Sequence, residues 1–344
     1  MLFPNADAVV NPFLLILLGV IVGTLGGFFG VGGGFLITGG LLVFGVPPLF
    51  AVGTGLTLIM GSSIINTLKH RGLGHVDFKL GLLLVCGTIP AEIMAERLNS
   101  VLAAAGVAGS VIRYVYVIFL LALGLFIIYD YFKTRHRANG QSDTVSTAGL
   151  ARRIQSLHLP PATIKIPGLP RLSTYVELPV SGVERISIFI PILVGFGIGF
   201  LAGLLGAGGG FVLMPLLIYV IGIPTIVAIG TGLFQIVIAG LVGTFIYSLS
   251  NNVDPLMAII MLTAASVGSQ LGATATRYVD SGNIRVLFGV TVLSGCVAVA
   301  LKQAAESVAG LEFLTTVASF VLLGVSGVMC LVIAAMMIVA RRKA

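Results

Sequence analysis

Charge is what this sequence has least of. Of its 344 residues 19 are Lys or Arg and 12 are Asp or Glu, 9% in all, where a soluble domain keeps about 25% of its residues charged to hold its surface in water. With 57% of the chain apolar, a water-exposed globule and a disordered chain are both excluded. Tryptophan is absent and there are three cysteines. Cys86, Cys296 and Cys330 each fall inside an apolar stretch, which offers neither a disulfide framework nor paired metal-ligand spacing; no metal and no cofactor are expected. Residues 1–11 lack the basic n-region of a cleavable signal peptide, and Asp7 is the one charged side chain among them. A net charge of +7 would suggest nucleic acid in a soluble protein. In a membrane chain, excess Lys and Arg face the cytoplasm and anionic lipid, so the expected partner is the bilayer and not a nucleic acid.

Long apolar runs fill the rest. Measured against the roughly 20 residues that span a bilayer, candidate segments lie at 13–29, 49–68, 79–96, 111–132, 186–205, 225–249, 255–275, 284–303 and 312–340. Two more, Phe35 to Val46 and Phe211 to Ile221, are short and closed by proline turns at Pro47-Pro48 and Pro224. These read as half-helices, since irregular backbone at membrane depth survives only where protein or a watery cavity covers it.

Both short segments follow the same words. Gly30-Val31-Gly32-Gly33-Gly34-Phe35 recurs as Gly206-Ala207-Gly208-Gly209-Gly210-Phe211, Gly45-Val46-Pro47 as Gly222-Ile223-Pro224, and Ala51-Val52-Gly53-Thr54-Gly55-Leu56 as Ala228-Ile229-Gly230-Thr231-Gly232-Leu233. The offset is 176 and then 177, and at 177 Val76-Asp77 meets Val253-Asp254. The expected organisation is therefore a first transmembrane repeat at 13–132, a linker at 133–185, a second repeat at 186–303 and an added helix at 312–340. Each repeat holds five segments, an odd number, which inverts the second copy relative to the first.

Charge placement orients them. The first copy carries Lys69, His70, Arg71, His75 and Lys79 around a connection whose counterpart, Ser250 to Asp254, has no basic residue. With that first connection in the cytoplasm, the 133–185 linker and the Arg341-Arg342-Lys343 tail fall there too. Only Arg97, Arg113 and Lys302 remain outside, as the positive-inside rule expects. The linker is polar and dotted with prolines; Leu150, Ile154 and Leu157 recur at helical spacing beside Arg152 and Arg153, a pattern fit either for a solvated linker or for a short helix on the inner leaflet.

An aliphatic run broken by Gly-x-Gly-Gly-Gly needs a reason, because glycine inside a helix costs about 1 kcal/mol relative to alanine. A nucleotide loop would need a following Lys-Ser or Lys-Thr, and Phe35-Leu36-Ile37 stands there instead. Two readings stay open. Small residues let membrane helices approach closely. Alternatively, bare backbone N–H groups at a helix start, with their partial positive charge, form an anion site without a cationic side chain. On the second reading the site comprises Gly32, Gly33, Gly34, Gly53 and Thr54 from the first copy and Gly208, Gly209, Gly210, Gly230, Thr231 and Gln235 from the second. Paired helix breaks in two inverted halves are where a transporter's central site is expected. The threonine hydroxyls either add neutral donors there or back-bond to their own helices.

The paired Gly-x-Gly-Gly-Gly-Phe motifs, each followed by a short apolar helix, a proline turn and Ala-x-Gly-Thr-Gly-Leu, resemble the TauE/SafE sulfite-exporter family of membrane permeases. The likeness covers both repeats. It implies a carrier, without bound cofactor, for small sulfur-containing anions such as sulfite, sulfonates or sulfoacetate. The 53-residue linker and the extra last helix depart from a compact member, and the family's seven or eight spans compare with eleven segments here.

Glu92 and Glu96 share one helix face. Fourteen residues from Phe78 put Glu92 about 21 Å along its helix. It is either a carboxylate snorkelling beside a Glu96–Arg97 pair or a proton-coupling group. Gln235, Gln270 and Asn66 could hydrogen-bond substrate or tie helices together. The overall expectation is an all-α polytopic membrane protein of two inverted five-segment repeats. It acts as a multi-pass carrier in the cytoplasmic membrane, moving a small anion by alternating access with protons or another ion as coupling partner, and is compatible with a homo-oligomer. An anion channel and a carboxylate carrier are the alternatives. An enzyme would need a nucleophile and base, or a metal cluster, that the sequence does not offer.

Overall fold

The computed structural model describes residues 1–30, 32–72, 74–137, 163–164, 172–206, 209–276, 278–279, 281–307, 311 and 313–343. Among them are eleven α-helices: α1 (Pro12–Phe29), α2 (Gly34–Val43), α3 (Pro48–Arg71), α4 (Phe78–Ala104), α5 (Ala108–Arg137), α6 (Phe189–Leu205), α7 (Gly210–Leu216, continued by a π-helical turn Leu217–Ile221), α8 (Thr225–Leu249), α9 (Pro255–Ala275), α10 (Ser281–Ser307) and α11 (Phe313–Lys343). Eight of these are long and apolar enough to cross a membrane. The protein is an all-α polytopic membrane protein. The apolar run at 186–205 yields only the 17 residues of α6, because residues 183–187 are drawn into a strand.

The ends follow local chemistry. Asn11 precedes Pro12 and accepts from Phe13 N. Asp77 and Asp254, the repeated acids, cap α4 and α9 by accepting from Leu80 N and Met257 N, each satisfying one orphan donor of a helix start. Before α1 and before α6 stands a small antiparallel hairpin: β1 (Leu2–Phe3) with β2 (Ala8–Val9), and β5 (Tyr175–Leu178) with β6 (Val183–Ser187). A third pair, β3 (Thr163–Ile164) and β4 (Leu172–Ser173), lies in the linker. The rest of the linker, with Leu150, Ile154 and Leu157, lies outside the described residues. The hairpins at the two helix starts are alike. Phe3↔Ala8 and Leu178↔Val183 close four-residue turns, a proline opens each turn, and its last residue has positive φ, 46° at Asp7 and 68° at Gly182.

In lipid no hydrophobic force separates helix from helix, so close backbone approach does the work of packing. Gly19, Gly23 and Gly27 of α1 lie against the backbone of Met261, Ala265 and Ser269, so α1 and α9 run parallel at a constant step. Gly195, Gly199 and Gly203 of α6 lie against Leu84, Thr88 and Glu92 in the same manner, parallel to α4. Between these pairs α3 and α8 run antiparallel: Gly53 meets Tyr247, Gly243 meets Leu56 and Gly240 meets Met60. Helices α5 and α10 also cross antiparallel, with Val117 O accepting from Cys296 Sγ at 3.4 Å and Arg113 Nε donating to Gln303 Oε1 at 2.6 Å. Helix α11 packs on α10 and leaves Phe320 and Leu331 mostly exposed, as a lipid-facing helix would.

Candidate functional site

Each glycine word is a reversal of the chain. Gly30 (φ 69°) ends α1 and Gly33 (φ 76°) caps α2, which then runs back along α1, with Gly33 against Val22 and Gly40 against Leu18. Gly206 (φ 65°) and Gly209 (φ 66°) do the same for α6 and α7, with Gly209 against Ile198. A side chain is disfavoured at these positions twice over, by the left-handed backbone and by the facing residue. Gly34 and Gly210 are the first residues of α2 and α7, and no side chain caps either start. Gly208 lies outside the described residues.

The two breaks are also tied to each other. Thr38 Oγ1 in α2 donates to Gly206 O at 2.8 Å. Gly30 packs on Ile229 at the start of α8, and Gly206 on Val52 at the start of α3. The Gly-Thr-Gly words thus sit where each half's third helix passes the other half's break. Their threonines also have an employment that was not anticipated. Thr54 Oγ1 accepts from Asp254 N and Thr231 Oγ1 accepts from Asp77 N, both at 2.9 Å. Gly53 packs under Asn252 O and Gly230 under His75 O. Glycine and threonine together dock the loop before α9 onto α3 and the loop before α4 onto α8.

Polar side chains gather in two places between these helices. On α3, Ser62, Ser63 and Asn66 are buried. Ser62 Oγ donates to Ile59 O at 3.2 Å, Ser63 Oγ has no partner among the described residues, and Asn66 Nδ2 reaches Ser269 Oγ of α9 at 3.5 Å, the outer limit for a hydrogen bond. On the other side, Gln235 Nε2 of α8 donates to Thr88 Oγ1 of α4 at 2.9 Å, and Thr88 donates on to Leu84 O and Gly195 O. One turn further, Glu92 is 1% exposed. Neither of its carboxylate oxygens has a partner among the described residues, and its backbone lies against Gly203. Glu92 is therefore enclosed by protein. Glu96 accepts from Ser100 and Ser250, at 2.8 Å each. Beyond them Asn99 donates to Tyr247 Oη at 2.7 Å, and that phenol donates to Gly203 O at 2.8 Å.

The buried polar side chains among the described residues include no Lys or Arg. Lys69, near the end of α3, donates outward to Gln270 O and Thr274 Oγ1 of α9. An anion meeting this interior finds hydroxyls, amides and backbone N–H groups. The serines at 63 and 269 and Thr88 were not anticipated from the sequence, where they read as ordinary small residues of apolar helices.

The family model for sulfite exporter TauE/SafE matches residues 15–302. Over 292 residues the chain is 25% identical to the probable membrane transporter protein YunE of Bacillus subtilis, covering 82% of this chain and 95% of that one. It is 26% identical over 291 residues to the probable membrane transporter protein MJ0441 of Methanocaldococcus jannaschii, covering 80% and 90%. A probable membrane transporter protein of Xylella fastidiosa is 34% identical over 113 residues, 32% of this chain and 43% of that one. No solved structure matches the chain significantly. Helices long enough to span, a core of backbone-to-backbone crossings and a family match across both glycine words agree: the chain belongs to the sulfite exporter TauE/SafE family and is an integral, multi-pass membrane transporter.

Proposed function

We propose that this transporter moves a small oxyanion, a sulfur oxyanion such as sulfite or a short organosulfonate first of all, across the cytoplasmic membrane by alternating access. The observation that carries the reading is the pair of uncapped helix starts at Gly34 and Gly210, set in an interior whose described residues bury no cationic side chain. Two helix N-termini supply together about one elementary positive charge, which balances a monoanion and repels a cation. Gly32, Gly33, Gly34, Gly209 and Gly210, with Gly208 between them in sequence, are the backbone part of this site. Gly53, Thr54, Gly230 and Thr231 hold the loops that frame it. Antiparallel α3 and α8, and the matching parallel pairs α1 with α9 and α6 with α4, support an inverted-repeat reading in which the two breaks are exchanged between an outward-open and an inward-open form. Glu92, buried without a donor among the described residues, is the group we assign to proton coupling. The positive-inside pattern places His75 and the 133–185 linker in the cytoplasm and Asn252 outside.

Purified protein in liposomes, loaded with unlabelled anion, tests this by counterflow of radiolabelled sulfite, sulfate, taurine, sulfoacetate and acetate. Saturable counterflow of a sulfur oxyanion is expected. Saturable exchange of an organic cation with no competition from any of these anions overturns the assignment. Flux without counterflow replaces the carrier by a channel.

A further inference from the structure

The two halves were matched above by their glycine words; matching their polar residues through the same offset of 177 gives a different result. Ser63 corresponds to Gly240, Asn66 to Gly243 and Ser269 to Glu92. Where the first break faces two hydroxyls and an amide, the corresponding place in the second half has two glycines and a carboxylate. Gly240 and Gly243 are filled by Met60 and Leu56 of the antiparallel helix, so no polar atom replaces the missing side chains.

We infer that, within the anion site proposed above, the side-chain contacts to the transported anion are made at the first break, by the hydroxyls of Ser63 and Ser269 and the amide of Asn66 beside the start of α2. This deepens the proposed anion transport and rests on it. Three observations converge. First, α2 is a ten-residue helix whose start carries no side-chain cap. Second, Ser63 Oγ lies 2.9 Å from the point where a Cβ on Gly32 would stand, Ile59 and Ile236 form the other walls at 2.8 and 3.5 Å, and this hydroxyl, on a residue with no exposed surface, has no partner among the described residues. A buried hydroxyl is destabilising unless something uses it. Third, Asn66, one turn along α3, is buried and its amide nitrogen is only at the edge of contact with Ser269 Oγ, 3.5 Å away, so its N–H groups have capacity to spare. Two donors at that separation can converge on one acceptor oxygen beside them. Hydroxyl, hydroxyl and amide around a backbone N–H suit a compact anion with three or more equivalent oxygens. They offer no flat platform for a ring and no fixed charge for a carboxylate pair.

The symmetry-related carboxylate gives the arrangement its sense. A charged Glu92 repels an anion, so the side-chain contacts to the anion lie in the first half, while the second half contributes the partial positive charge of its helix start and the carboxylate assigned to proton coupling.

The test uses the full-length protein and sodium sulfite as the probe. In detergent, sulfite should raise the thermal midpoint of the wild type. Ser63→Ala, Ser269→Ala and Asn66→Asp should keep the ligand-free midpoint within a few degrees yet lose most of the sulfite-induced shift. In liposomes each alanine variant should raise the KM for sulfite by about tenfold, the value of one hydrogen bond to a charged group, with little change in kcat. Ser63→Thr, which keeps the hydroxyl, should restore at least half of the lost affinity and guards against a packing effect. Wild-type sulfite transport with unchanged KM in Ser63→Ala and Ser269→Ala overturns the subsite and leaves the transport reading standing. A wild type that neither shifts with nor transports sulfite, sulfate or a sulfonate overturns both. Failure of Ser63→Thr to recover any affinity, with the variant folded, assigns Ser63 to packing and overturns its place as a ligand.

Discussion

The first and second halves share a skeleton and differ in what they attach to it. Five glycines of the first half have their counterparts in the second: Gly19 with Gly195, Gly23 with Gly199, Gly27 with Gly203 and Gly30 with Gly206, each touching the corresponding residue of the opposite half, and Gly33 with Gly209, each packed against the preceding helix of its own half. The polar residues between those crossings do not correspond. At these matched positions a Cβ in either copy meets a close neighbour, and the geometry is twofold. Ser63, Asn66 and Glu92 have no like residue at the matching positions. The matched glycines pack the halves together, and the residues proposed above for substrate and coupling lie where the halves differ.

The sharpest way to break the comparison is at the shared part. Gly33→Val and Gly209→Val should each prevent folding: a non-glycine residue in the left-handed region costs about 1–2 kcal/mol and forcing a branched side chain against Val22 or Ile198 about 1–3 more. Both should vanish from the monodisperse peak on size-exclusion chromatography. Gly39→Ala, where the nearest atom is 3.4 Å from the added carbon, should elute and transport as wild type. A well-folded Gly33→Val would mean that the reversal relaxes and that the halves are less rigidly matched than their contacts imply.

Next comes an exchange of the diverged pair. Ser269→Glu puts into the first half the residue that its counterpart carries, and a carboxylate among the anion's donors should reduce sulfite uptake by about a hundredfold, since an unscreened like charge is worth several kcal/mol. Glu92→Gln should leave sulfite counterflow near wild type and remove its stimulation by an inward proton gradient. If Glu92→Gln retains full proton dependence, the carboxylate is a packing residue and the division between the halves has no bearing on coupling.

A smaller effect is expected at the loop docks, and it should be equal in the two halves. Thr54→Val and Thr231→Val each strand a buried N–H, of Asp254 or Asp77, at about 1–3 kcal/mol. Thermal midpoints should fall alike in both, and Thr→Ser should restore them. A fall in one half alone would show that only one loop depends on its threonine.

How much of this could be read from the letters follows the same division. The glycine words and the Val-Asp pair announced the repeat, because they are spelled out at one offset. The same words announced two short helices, expected from Phe35 and Phe211 and found to start one residue earlier, at Gly34 and Gly210. The loop docking of Thr54 and Thr231 was not announced, since a threonine between two glycines looks the same whether its hydroxyl faces a cavity, its own helix or a neighbouring loop. Ser63 and Ser269 were passed over because a serine in an apolar helix is common. What would have singled them out is the very alignment that revealed the glycines, read for mismatches instead of matches. The hairpins before α1 and α6 were missed too: their shared features are a proline and a positive-φ turn residue, Asp7 in one and Gly182 in the other, and the second pair of strands lies at the end of a polar linker that gave no alternating pattern.

Those hairpins supply the finest test of the comparison. Ser181, in the turn of the second hairpin, is 1% exposed and donates to Asp77 Oδ2 at 2.6 Å, latching the start of α6 onto the cap of α4. The matching residue in the first hairpin is Ala6, also 1% exposed. The matching acid, Asp254, has its Oδ2 buried and without a partner among the described residues. One missing hydroxyl thus accounts for one orphaned oxygen, provided that the first hairpin docks on α9 as the second docks on α4. Ser181→Ala should lower the thermal midpoint by the loss of a hydrogen bond to a carboxylate, about 1.5 kcal/mol or more. Ala6→Ser, which adds a single atom at a turn, should raise it by about 1 kcal/mol, and the stabilisation should disappear in the Asp254→Asn background if the new hydroxyl donates to that carboxylate. A neutral Ala6→Ser, with Ser181→Ala destabilising, would mean that the two hairpins share a turn but not a docking site, and that the loop after α8 is held by Thr54 alone. That difference would matter for transport, because a loop held by one hydrogen bond opens more readily than one held by two, and the end of the molecule that carries the loop after α8 would then be the easier of the two to open.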